Sequence, residues 1–144
     1  MIPPPPAMVP ELDVSDLSTS LAFYVGEVGF AVAYERAAEG FAYLTLGDAH
    51  LMLETAEGEG RRFRTAPLER PFGRGINLQI RVEGVADLHD RLVARGRPIL
   101  IPLEERWYAR NDTEIGHRQF VVADPDGYLL RLYEPLKVRA GGSD

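Results

Sequence analysis

The chain of 144 residues has no cysteine. That excludes a disulfide, a thiol nucleophile and a cysteine metal site, so any catalysis or metal binding must use oxygen and nitrogen groups. Histidine is scarce: His50, His89 and His117 lack the close spacing of a metal motif, and each reads as a surface or structural residue. No apolar run approaches the ~18 residues of a membrane span. The N-terminus lacks the basic start and apolar core of a signal peptide, so the expected location is cytoplasmic, with no membrane partner. There is no serine nucleophile elbow and no phosphate-cradling glycine loop, since Gly73-Arg74-Gly75 is too short. The 22 acidic residues outnumber the 16 basic ones, for a net charge of −6. That balance argues against nucleic acid as a partner and favours cationic ligands.

What is present fits one domain, because 45% apolar content over this length supports an ordinary core. Residues 1–7 carry four consecutive prolines, Pro3 to Pro6, which lack amide donors and predict an extended arm. Residues 8–14 suit a first strand, Ser15 or Asp16 an N-cap, and Leu17, Leu21, Tyr24 and Val28 one face of a helix that ends near Gly26 and Gly29. Strands are expected over 30–35, 41–46 and 50–54, separated by Glu39-Gly40 and Gly47-Asp48 turns. Residues 56–74 hold Gly, Pro and many charges without a steady period and read as a connector. Its Arg61, Arg62 and Arg64 form either an anion site or a solvated loop.

The order then recurs. A strand is expected over 76–82, a helix with Val85, Leu88 and Leu92 on one face ends at Gly96, and a strand covers 99–108. Asp124-Pro125-Asp126-Gly127 joins the apolar runs 120–123 and 128–132 as a hairpin. In the second run Tyr128, Leu130 and Leu132 share one face, and Leu129, Arg131 and Tyr133 the other. A shift of 68 residues superposes Val14 on Val82 and Leu17 on Val85. The fold class is therefore α+β, built from two βαβββ modules, 8–55 and 75–136, followed by a tail at 137–144. Two small sheets each leave a face to be covered by one another or by a partner's sheet.

Several segments together resemble the vicinal oxygen chelate superfamily of glyoxalases, bleomycin resistance proteins and dioxygenases. They are Val9-Pro10 before Ser15-Asp16, Leu21-Ala22-Phe23-Tyr24, Val28-Gly29-Phe30, Gly47-Asp48 before Leu51-Met52-Leu53-Glu54, and Asp124-Pro125-Asp126-Gly127 before Leu129-Leu130-Arg131-Leu132. The resemblance covers residues 8–136 and implies cupped mixed sheets, with a metal or a ligand held between paired modules. Metal-dependent members use His, Gln or Glu at four positions, which correspond here to Val9, Met52 (or Glu54, two residues on), Asn77 and Arg131. A guanidinium offers a cation no electron pair. The expectation is thus no metal and no cofactor.

Keeping the fold without the metal ligands points to the bleomycin resistance branch, whose members are implied to be homodimers that sequester a cationic glycopeptide antibiotic without modifying it. The candidate ligand-binding residues are Tyr34, Phe41, Met52, Glu54, Asn77, Gln79, Trp107, Tyr108 and Arg131. Aromatic faces stack on flat heteroaromatic rings and carboxylates stabilise ammonium groups, although core packing explains Tyr34, Phe41 and Trp107 equally well. The branch resembles a pattern with tryptophan where this chain has Ile115, so the stacking ring is either missing or supplied by Trp107. Two alternatives stay open. One is a metal-dependent lyase, isomerase or dioxygenase drawing on Glu54 with His50 or Glu134. The other is a binding protein for a different small molecule.

Overall fold

In the computed structural model, which describes residues 4–57 and 62–141, Asp16 opens the first helix. Its carboxylate accepts hydrogen bonds from the Thr19 backbone N–H at 3.1 Å and from the Thr19 hydroxyl, satisfying donors that a helix start leaves orphaned. Helix α1 (Leu17–Phe23) widens into a π-type turn over Tyr24–Val28, where the Tyr24 carbonyl accepts from the N–H groups of both Gly29 and Phe30. Gly29 ends it at φ 111°, a left-handed conformation that glycine adopts without steric cost.

The chain forms two compact units, Met1–Phe72 and Gly73–Asp144. In the first, strands β1 (Glu11–Val14), β2 (Ala31–Arg36), β3 (Phe41–Leu46) and β4 (Ala49–Thr55) make a sheet in the order β1-β4-β3-β2. β1 runs parallel to β4, and the other pairs are antiparallel. Leu12, Val14, Ala42, Leu44, Leu51 and Leu53 project from one face and are buried together with Phe23, Tyr24 and Val28. Each buried leucine or valine among them contributes about 1.5–3 kcal/mol by leaving water.

The second unit repeats the plan. Strand β5 (Asn77–Arg81), helix α2 (Val85–Ala94), β6 (Ile99–Arg110), β7 (Thr113–Ala123) and β8 (Leu129–Pro135) form a sheet ordered β5-β8-β7-β6. Its core joins Ile80, Phe120, Val122, Leu130 and Leu132 with Val85, Leu88 and Leu92. Gly84 precedes α2 and has no side chain to cap it, so Glu134 takes that role and its carboxylate accepts from the Val85 N–H at 2.6 Å. The expected α+β class with two βαβββ modules is what the structure shows.

Several boundaries differ from expectation, for identifiable reasons. β1 starts at Glu11 rather than residue 8. The Pro10 carbonyl still accepts from Met52 N–H, but proline has no donor to return. The run at 120–123 is only the end of β7, which begins at Thr113 after a two-residue Asn111-Asp112 turn with Asn111 at φ 54°. Polar residues mask that strand's first half. The Asp124 turn forms as expected. Its carboxylate accepts from the N–H groups of Asp126 and Tyr128, both at 2.9 Å, and β8 starts one residue later, at Leu129. The tail supplies a short strand, β9 (Arg139–Ala140), on β7.

Of the proline arm, residues 1–3 fall outside the described residues, and Pro4 to Ala7 are exposed without regular structure. Arg61 also falls outside them. Arg62 and Arg64 lie in a segment without regular structure, Arg64 exposed as the solvated-loop reading expects, and both bind carboxylates of the first unit rather than standing together as an anion site. No helix among the described residues is long and apolar enough to cross a membrane.

Candidate functional site

Each sheet has a face covered by its helix and a far face. On the far face of the first unit the strand register sets side chains in rows. Arg36, Phe41, Glu54 and Asp13 form one row, and Tyr34, Tyr43, Met52 and Glu11 the next. Side chains of like parity on paired strands point the same way, so the acids and the rings share one surface. Tyr34 stacks on Tyr43 with centroids 5.0 Å apart and lies 6.0 Å from Phe41. The Arg36 guanidinium sits 3.9 Å above the Phe41 ring and is paired with Glu39 at 2.5 Å. Phe41 is only 1% exposed, whereas Tyr34 is half-buried.

The carboxylates of this face are closely managed. Arg62 donates to Glu54 at 2.6 Å, with side chains 12% and 9% exposed respectively, and also to the Thr55 carbonyl at 2.8 Å. Arg64 pairs with Asp13 at 2.9 Å. Glu11 is pushed above the usual carboxylate range by partial burial first, then by Glu54 and Asp13, while Arg62 acts in the opposite sense. At the edge of the same face the Tyr43 hydroxyl and His50 Nδ1 lie 2.6 Å apart, and burial raises the Tyr43 phenol.

The second unit's far face has different chemistry in the same frame. Gln79, Arg131 and Val121 make one row, and Arg81, Tyr133, Gln119 and Glu104 the next. His117 follows on β7, with its ring 4.3 Å from that of Tyr133 and 5.6 Å from that of Tyr108. Gln119 donates through Nε2 to the Tyr108 hydroxyl at 2.7 Å. Gln119 and His117 are 3% and 8% exposed, and Gln119 Oε1, His117 Nδ1 and Arg131 Nε are buried with no close hydrogen-bond partner among the described residues. Burial holds His117 below its ordinary value and the Arg131 charge adds to that, with Gln119 opposing them.

Among the residues singled out in the sequence, Tyr34, Phe41, Met52 and Glu54 meet on the first far face. Asn77, Gln79 and Arg131 meet on the second. Trp107 and Tyr108 do not share a cleft wall. They are consecutive on β6 and project to opposite faces, Tyr108 opposite Ile115 and Trp107 opposite Gly116. A Cβ at Gly116 would meet the indole at 2.8 Å, so the glycine makes room for the ring, and the Arg139 guanidinium covers the indole at 3.7 Å. The sequence reading took His117 for a surface or structural residue and did not single out Gln119 or Tyr43. Period-two alternation from Arg131 through its neighbour strand was the signal available for the first two, but it required knowing that β7 begins at Thr113.

The four positions that the resemblance assigns to metal ligands carry side chains poorly suited to a cation. Val9 offers no donor, Met52 a thioether, Asn77 an amide and Arg131 a positive charge. The alternative carboxylate, Glu54, is bound by Arg62. His50 lies four residues away along β4, roughly 13 Å, beside Tyr43, and Glu134 caps α2. Among the described residues no three His, Cys, Asp or Glu side chains cluster to hold a metal.

Comparison with known proteins agrees with the topology. Bleomycin resistance proteins of Geobacillus stearothermophilus and Staphylococcus aureus are each 29% identical over 138 residues, 90% of this chain and 96% of theirs. The structure of TnmS3, an antibiotic binding protein from Streptomyces sp. CB03234, superposes with a TM-score of 0.63 at 24% identity, covering 89% of this chain and 93% of that one; that likeness speaks to fold alone. Residues 10–132 match the profile of the Glyoxalase/Bleomycin resistance protein/Dioxygenase superfamily, and with the paired βαβββ units this places the chain in that superfamily, to which it belongs.

Proposed function

We propose that this protein is a metal-free binding protein that sequesters a bleomycin-type glycopeptide antibiotic, working as a homodimer. The observation that carries the reading is the Arg36 guanidinium stacked 3.9 Å above Phe41. The first far face already accommodates one flat cation, on a surface where Tyr34, Tyr43 and Phe41 lie among Glu11, Asp13 and Glu54. A ligand bearing a flat heteroaromatic ring and an ammonium group is recognised by the same two interactions, ring stacking and charge pairing. Arg36 is exposed, so a ligand cation can displace it at modest cost.

The 29% identity to proteins named for bleomycin resistance supports the choice of ligand. Arginine at position 131 and the Arg62–Glu54 pair support binding without a metal. Dimer formation is supported by Leu100 and Ile101, which are exposed on β6, an edge strand of its sheet. Titration calorimetry with metal-free bleomycin is expected to show stoichiometric binding with a Kd of about 1 μM or tighter, equivalent to about −8 kcal/mol. No heat at high drug concentration sinks the proposal. Cells expressing the protein are expected to resist bleomycin but not unrelated cationic drugs, and equal protection against both redirects the reading to another small molecule.

A further inference from the structure

The outer edge of β6 pairs with no strand among the described residues, since β6 ends the order β5-β8-β7-β6 and β9 lies on β7. An unpaired edge offers a row of backbone N–H and C=O groups to another extended chain. The first part of β6 is blunted: its register on β7 shifts twice before Glu104, and Pro102 has no donor. From Glu104 to Arg110 the strand runs without a shift, and none of its residues is buried. The regular half is therefore the open half.

The hairpin turn fixes which groups face outward. Asn111-Asp112 is a two-residue loop with Asn111 at φ 54°, and such a turn closes on a hydrogen-bonded pair, here Arg110 and Thr113. Period two then directs the N–H and C=O of Glu104, Arg106 and Tyr108 toward β7, and those of Glu105, Trp107 and Ala109 outward. Antiparallel pairing with the same strand of a second copy, about a two-fold axis, sets one residue opposite itself. With Glu104, Glu105 or Arg106 at the axis like charges meet, and with Tyr108 there Arg106 meets Arg110. With Ala109 there, most of the run lies beyond the partner's turn. With Trp107 at the axis, Glu104 faces Arg110 twice, Arg106 faces Tyr108 twice and Glu105 faces Ala109 twice, with no like charges opposed. Opposite charges and cation–ring pairs across strands are favourable, and like charges are not. Glu104, Arg106 and Arg110 have no ion-pair partner among the described residues, whereas Glu105 and Glu114 are taken by Arg118 and Arg139. The Trp107 indole lies against Gly116 on β7, away from the edge, which leaves room at the axis.

We infer that Glu104 to Arg110 of β6 pair antiparallel with the same residues of a second copy, centred on Trp107, and join the two second-unit sheets into one. The inference rests on the homodimer of the proposed function and names its interface. The chain has no cysteine, so a single introduced one reports only on its own mate. Trp107→Cys is expected to form an intermolecular disulfide on mild oxidation, its Cα atoms lying roughly 5.5 Å apart, and Ala109→Cys is not, at roughly 14 Å. By sedimentation velocity Glu104→Arg and Arg110→Glu are each expected to weaken the dimer about tenfold or more. The double variant Glu104→Arg/Arg110→Glu is expected to restore it, with the fold of each protein checked by circular dichroism.

Cross-linking of Ala109→Cys as readily as Trp107→Cys overturns the inference, as does a double variant that associates no better than the single ones. A dimer undisturbed by Glu104→Arg also overturns it and leaves the homodimer of the proposed function standing on another surface. A protein that is monomeric at every concentration and still binds bleomycin overturns it together with the homodimer, and leaves the antibiotic reading. The expected cross-link and charge rescue without bleomycin binding keep the interface and remove that reading.

Discussion

The two units share one topology and nearly opposite chemistry at matched positions. Where the first far face has Glu11 beside Met52, the second has Gln79 beside Arg131. Where the first has Phe41 and Tyr43 on the adjacent strand, the second has Gln119 and Val121. The first face pairs its acids internally, Glu54 with Arg62 and Asp13 with Arg64. The second leaves buried polar atoms unpaired. The helix faces, by contrast, are both mainly Leu, Val and other apolar residues, with Tyr24 and Ala42 in the first and Ile80 in the second. A repeated frame constrains the side that packs and frees the other side for recognition.

That contrast can be broken most directly at the two arginines. Arg62→Met strands a carboxylate that is 9% exposed, and is expected to cost about 3–5 kcal/mol of stability by chemical denaturation. Arg131→Met removes a guanidinium whose Nε is already unpaired, and is expected to cost no more than about 1 kcal/mol. Equal losses would show that the units are not differently satisfied.

A smaller effect separates the faces of β6 from the aromatic surface of the first unit. Tyr34→Ala is expected to weaken bleomycin binding by about 1–2 kcal/mol, or roughly tenfold, by calorimetry. Trp107→Ala is expected to leave affinity unchanged, because that indole is held between Gly116 and Arg139 on the opposite face from Tyr108. A tenfold loss in the tryptophan variant places the ligand on the wrong surface.

The smallest effects are in pH, and they have opposite signs. Glu11 titrates above its unfolded value, so between the two values the folded state holds more protons and stability falls as pH rises through that window. His117 titrates below its unfolded value of about 6.5. In its window the unfolded state holds more protons, so stability rises with pH and is complete above about 6.5. Melting temperatures of Glu11→Gln and His117→Phe against pH are expected to lose the falling and the rising component respectively. The same sign in both would remove the distinction.

Much of the frame was legible in the residues. Asp16 as cap, Gly29 and Gly96 as helix ends, the Asp124 turn and the alternation through Arg131 are local signals, each set within a few residues by backbone geometry or capping. The first half of β7 was not legible, because Thr113 to Gln119 carries its information in the strands it pairs with, β6 and β8. The same limit applied to the site. Trp107 and Tyr108 looked like one feature in sequence, and the pleat sends them to opposite faces.

By itself the sequence determined the two βαβββ units, the absence of thiol chemistry and the alternation that sets Arg131 on the face opposite Leu130 and Leu132, since these depend on residue identity and short-range geometry. Only the tertiary structure decided which side chains keep company. It brought Arg62 from the connector onto Glu54, set Arg36 over Phe41, and gathered His117, Gln119 and Arg131 on one surface. The physical reason is strand register: one residue of shift exchanges the two faces of a sheet, and register is settled by partners far away in the chain.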